Sequence, residues 1–141
     1  MQRKTDFADV PLLGASFAGN GLVAIRRRDG RLQTNISHYI TNHSPDGFNI
    51  GYSGSGPADL SLNVLEQFLR YKRYNGDRTE AGEVRGGSCF RLAWWAHQRF
   101  KEQFIAKSNR EVRVTIREID TWLRKFMDEN PQCYEYGPVW E

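Results

Sequence analysis

Apolar and polar positions change period along this chain, and each change predicts an element. Leu22-Val23-Ala24-Ile25 is an unbroken apolar run, and Leu32, Thr34 and Ile36 alternate with Gln33 and Asn35. Asp29-Gly30 between them predicts a hairpin. His38-Tyr39-Ile40 extends the sheet, and Ser44-Pro45-Asp46-Gly47 has the residues of a type I turn. A third strand is expected over Phe48–Tyr52, with Phe48, Ile50 and Tyr52 on one face. Asn49 shares the other face with Gly47 and Gly51, which leaves room there for a ligand.

The period then becomes helical. Leu60, Val64, Leu65, Phe68 and Leu69 recur along one face from Pro57 to about Tyr71. Pro57 suits a first helical position, and Gly56 before it is biased towards extended geometry, so no earlier start is expected. Tyr74 to Gly87 reads as a long polar loop. Ser88 can cap a second helix whose stripe is Cys89, Leu92, Ala93, Ala96, Phe100 and Phe104. Trp94 and Trp95 cannot both sit at the centre of that stripe, so one meets another segment or subunit. Glu111–Val114 is a short strand, Thr115 and Glu118 form a capping box, and Asn130-Pro131 stops the helix that follows.

These elements give an α+β class: a small N-terminal antiparallel sheet, a hairpin plus a third strand, packed on about three C-terminal helices. Residues 1–20 read as an arm, flexible or docked on a partner, 21–130 as one domain and 131–141 as an aromatic tail packing onto a neighbour. A chain of 141 residues, 39% apolar and 13% aromatic, can bury a real core. The net charge of +3 is too small to indicate a nucleic-acid binder. Cys89 and Cys133 are far apart, without metal or disulfide spacing, and His38, His43 and His97 lack metal-ligand spacing, so neither metal nor cofactor is expected. No apolar run has the length of a membrane span and no signal peptide is read; the expected location is the cytoplasm.

Chemistry concentrates at Phe48–Gly56. Gly51, Gly54 and Gly56 allow close approach of the backbone to a ligand, and the loop delivers free N–H groups to the positive end of a helix dipole. Pro57-Ala58 stands where a Walker A motif needs Lys-Ser/Thr, and no βαβ unit supports a Rossmann reading. No nucleophile elbow or paired carboxylates are visible, so a catalytic role is not expected. The anion-site candidates are Arg26, Arg28, Phe48, Asn49, Gly54, Ser55, Gly56, Arg70 and Arg73. Each has a plainer reading: solvated strand end for the hairpin arginines, helix C-terminus for Arg70 and Arg73, turn formation for the loop.

The run Ser44-Pro45-Asp46-Gly47-Phe48-Asn49-Ile50-Gly51-Tyr52-Ser53-Gly54-Ser55-Gly56-Pro57-Ala58-Asp59-Leu60-Ser61-Leu62-Asn63-Val64-Leu65 resembles the hallmark SPxGFxxGYGGSGPAxLALxxL of small bacterial and phage proteins classed as a domain of unknown function. It departs from that pattern at Ser53 and Ser61, where glycine and alanine are usual. The chain is also similar to phage anti-Thoeris sponges, small α+β oligomers that trap cyclic ADP-ribose-type signals without cleaving them. That resemblance implies a nucleotide-like ligand, a homodimer or larger homo-oligomer, a counter-defence role and, for a phage-encoded protein, the host cytoplasm.

The leading expectation is therefore a non-catalytic protein that sequesters a nucleotide-like anion. Asn49 would bond base or ribose, and Gly54, Ser55 and Gly56 would meet phosphate. Two alternatives are a protein–protein inhibitor or adaptor acting on a host defence complex, anchored by Trp94 or Trp95, Trp122 and the Tyr134–Trp140 tail, and a nucleotide hydrolase or transferase using Ser55 or His43.

Overall fold

The computed structural model describes residues 15–44, 47–80, 88–133 and 140. In chain order its elements are α1 (Phe17–Asn20), β1 (Leu22–Arg26), β2 (Leu32–Thr34), α2 (Ser55–Tyr71), β3 (Arg78–Glu80), β4 (Ser88–Phe90), α3 (Arg91–Phe100), a π turn (Lys101–Ile105), β5 (Glu111–Val114), α4 (Ile116–Glu129) and a 3-10 turn (Pro131–Cys133). The class is α+β, as the pattern predicts. The larger sheet is antiparallel throughout, in the order β2-β1-β5, with Ala24 opposite Thr34 on one side and Val112 on the other. The hairpin closes tightly: Arg27 N–H donates to the Arg31 carbonyl, and Gly30 takes φ +89°.

Helix α2 is the internal element. Leu60, Leu62, Val64, Leu65, Phe68 and Leu69 are all fully buried, together with Asp59, Ser61, Asn63 and Glu66. Buried polar groups need partners, and along one face of α2 the partners are backbone. Gln67 Oε1 accepts the Ser37 N–H at 2.8 Å. Asn63 Oδ1 accepts Tyr39 and Ile40 N–H at 2.7 and 2.9 Å, and its Nδ2 returns a bond to the Ile40 carbonyl. Asp59 accepts N–H groups from Asn42, His43 and Ser44. Positions 59, 63 and 67 lie on one helix face, so the segment 37–44 runs antiparallel to α2 and is bonded to it as if to a neighbouring strand.

That ladder corrects several expectations. His38–Ile40 does not extend the sheet, because Asn63 holds the Tyr39 and Ile40 amides. Residues 48–52 are not a strand; the third strand is β5, the segment read as a short separate strand. The Ile50 N–H is taken by Asn49 Oδ1 and its carbonyl by Arg26 Nη2, while Gly47 and Gly51 have positive φ, so no ladder can form. The Gly47 N–H does close a turn onto the Ser44 carbonyl, though its middle pair, Pro45 and Asp46, lies outside the described residues.

Helix α2 starts at Ser55, not Pro57. Gly56 has no Cβ to clash with the proline ring, and a missing N–H in the first turn costs nothing there. The stretch read as a polar loop contributes β3, paired antiparallel with β4; residues 81–87 lie outside the described residues. Ser88 belongs to β4, and Phe90 is the N-cap of α3, its N–H held by Glu66 Oε1 at 2.8 Å. The Thr115–Glu118 capping box forms as expected.

Residues 1–14 of the expected arm lie outside the described residues, whereas 17–20 make a helical turn with Phe17 buried. Trp94 turns inward and Trp95 outward, 38% exposed. Trp122 packs on Phe100, Phe104 and Phe126. The tail does not reach for a neighbour at Trp140, which is buried edge-on to Phe68 and Tyr74 and whose Nε1 donates to Asp120 at 2.7 Å. Residues 134–139 lie outside the described residues.

Candidate functional site

The loop 47–54 is seated by two close approaches. Gly51 has φ +89°, and a Cβ on it would lie 2.5 Å from Asn109 Cβ. Its N–H donates to the carbonyl of Ile105, the last residue of the π turn. Gly56 backs onto Asn49, whose Cβ would be 2.7 Å from a Cβ placed there. Two glycines of the motif are therefore packing requirements. Replacing Gly51 by alanine should cost about 3 kcal/mol, from left-handed strain and overpacking together. Urea denaturation of the two proteins checks this, and a loss under about 1 kcal/mol would remove the packing role.

Arg26 and Asn49 are brought together, but onto each other. Arg26 Nη2 donates to Asn49 Oδ1 at 2.8 Å, and its guanidinium also donates to the carbonyls of Asn109, Gly30 and Ile50. The ligand space expected beside Asn49 is thus filled by Arg26 and Gly56. Phe48 stacks on His38, with ring centroids 4.3 Å apart. Arg28 is exposed on the hairpin turn.

Arg70 and Arg73 stand at the opposite end of α2. Ser55 and Arg70 are fifteen residues apart, which at 1.5 Å rise puts them about 22 Å apart along the axis. Arg70 Nε is bonded to Glu66 at 2.9 Å and its guanidinium lies over Tyr39 at 3.8 Å. Arg73 is exposed, with φ +59°. Neither reaches the glycine loop.

What the first turn of α2 offers is simpler. Gly54 is the N-cap and brings no side-chain acceptor, and the first turn holds no acid. Ser55 and Gly56 carry amides that the helix cannot use internally. Tyr52 is 48% exposed, and its ring lies so close beside Gly54 that a Cβ there would overlap it. One residue before Gly54, Ser53 Oγ donates to Glu102 Oε2, and Lys101 Nζ lies 3.3 Å from the same oxygen. The Ser53 hydroxyl first, then Lys101, holds the Glu102 carboxyl below its usual range.

Elsewhere on α3 lies a histidine pair. His43 Nε2 and His97 Nε2 are 3.1 Å apart, and Trp94 packs against both rings. The Trp94 carbonyl can only accept, so His97 Nδ1 carries the proton in their 2.6 Å bond. His97 Nε2 is then the acceptor for His43 Nε2–H. Burial pulls His97 down to about 4, against the Trp94 bond, which raises it. Cys89 is buried, and burial pushes its thiol up to about 12, so it is no nucleophile at neutral pH.

Sequence reasoning missed Lys101, Glu102 and the His43–His97 contact, all of which depend on residues about fifty positions apart meeting in space. The Asp59, Asn63, Gln67 spacing was the one signal available, three polar residues at four-residue intervals inside an apolar helix. Among the described residues no group of three or more His, Cys, Asp or Glu side chains could hold a metal, and no helix is long and apolar enough to cross a membrane.

Residues 15–81, just under half the chain, match a family of unknown function (DUF6166). No curated protein and no solved structure matches the chain.

Proposed function

We propose that the protein is a non-catalytic binding protein that holds a nucleotide-like anion at the first turn of α2. The observation that carries this reading is the uncapped helix start beside an exposed ring. Phosphate oxygens would take the amide of the exposed Ser55 at the positive end of a seventeen-residue helix, Gly56 behind it being buried against Asn49. A base would stack on Tyr52, and Lys101, beside Glu102, would offset the charge of that carboxylate. Arg26 and Asn49 then shape the loop rather than touch the ligand, and Arg70 and Arg73 drop out of the site. Sequestration without turnover agrees with how the groups suited to catalysis are used: Cys89 is inert, and His97 is committed to Trp94 and His43. The resemblance to phage sponges narrows the ligand class to cyclic nucleotides or ADP-ribose-type immune signals.

The Ser55→Asp variant separates ligand from fold. An acid in the first turn should stabilise the helix by roughly 0.3–1 kcal/mol while repelling an incoming anion. The expected result is a protein that melts slightly higher and binds at least tenfold more weakly in a calorimetric panel of cyclic nucleotides and ADP-ribose. Chromatography of the same mixtures should show no product. A ligand bound equally by both proteins, or turned over, would overturn the reading.

A further inference from the structure

Helix α3 buries Leu92, Ala93, Ala96, His97 and Phe100 and turns Arg91, Trp95 and Arg99 outward. These three lie at four-residue intervals, in one row along the helix. Three arginines packed against the helices have acidic partners: Arg70 and Arg78 share Glu66, and Arg124 pairs with Asp120. Among the described residues no carboxylate lies within ion-pair range of Arg91 or Arg99, and α3 contains no acid at all. The next acid along the chain, Glu102, is taken by Lys101 and Ser53. Arg91 lies over the Trp95 ring, 5.6 Å from its centroid, and Arg99 over Phe126 at 5.7 Å. Arg91 thus rests on the exposed ring of its own helix, and Arg99 covers the buried Phe126 ring of α4.

We propose that the outer face of α3 docks an acidic peptide segment of a protein partner, with Trp95 as the apolar anchor and Arg91 and Arg99 as its two charged flanks. Trp and Arg are among the residues that most often carry binding energy at such contacts. Arg91 and Arg99 are eight residues apart, about 12 Å along the axis, too far for one phosphate to span. About three or four extended residues cover that length, so two carboxylates flanking an apolar side chain fit the row. A single-stranded nucleic acid needs successive rings for successive bases, and this row has one.

Selection of a random twelve-residue peptide library on the wild-type protein, with counter-selection on the Arg91→Ala/Arg99→Ala variant, tests this. Circular dichroism should show the exposed-residue variants folded. Enriched peptides should be acidic with one central apolar residue, and Trp95→Ala or the double arginine variant should weaken each at least tenfold. Rising salt should weaken binding as well. Neutral or basic winners, no enrichment, or equal affinity for the variants would overturn the proposal. Tighter binding of a twelve-nucleotide oligo(dT) than of the best peptide would also overturn it and assign the face to nucleic acid.

Discussion

Replacing Asp59 by alanine is expected to destabilise the protein by about 4 kcal/mol or more. The carboxylate is fully buried and accepts three backbone N–H groups, from Asn42, His43 and Ser44. Removing it leaves those donors without acceptors, and a buried donor left unsatisfied costs roughly 1–3 kcal/mol. Asp59→Asn should cost about half as much, because one oxygen survives while its new amide faces an N–H group. Denaturant melts give the energies. Hydrogen exchange gives the mechanism, since protection should fall selectively at residues 42–44. A loss below about 1 kcal/mol with unchanged exchange would show that the segment is held by something else.

Acidification supplies the second large effect. His97 titrates near 4 in the folded protein, mainly because it is buried, against 6.5 for an ordinary histidine. The unfolded chain therefore binds the proton more readily, and stability rises with pH in this window. The His97 contribution is complete above about pH 6.5 and is lost progressively as pH falls towards 4. Between pH 7.5 and pH 5 the expected loss is about 2 kcal/mol, because holding a proton off costs about 1.36 kcal/mol for every pH unit below the unfolded titration point. Unfolding free energies of the wild type and of His97→Gln, measured across that range, isolate the effect: the variant should show the shallower slope. Parallel slopes would mean that acid stability is set by other groups.

Elements whose pattern is local were legible in the sequence. The hairpin, the α4 capping box and the apolar face of α2 each follow from neighbours in the chain, and each is where the pattern puts it. The misreadings share a cause. Phe48–Tyr52 and His38–Ile40 have strand-like residues, but their backbone partners include side chains: Arg26, Asn49 and Asn63. Alternation of apolar and polar positions says that a segment is half-buried, not what bonds its amides. The site suffered similarly. The glycine loop was visible as a loop, yet Gly51 and Gly56 answer to Asn109 and Asn49, contacts that no spacing rule records. Arg70 and Arg73 looked available because helix length was not set against the reach of a side chain.

Strand β1 borrows its second neighbour from far along the chain, Leu22 lying opposite Val114. The stretch that matches the uncharacterised family ends at residue 81, so it contains β1 and β2 but not β5. Excised at that border, the fragment would present the bare amides and carbonyls of Leu22–Ile25 as an open seam, ready to zip onto any passing strand. The matching stretch is therefore shorter than the folding unit, and a protein that retains only the former must close that seam by other means.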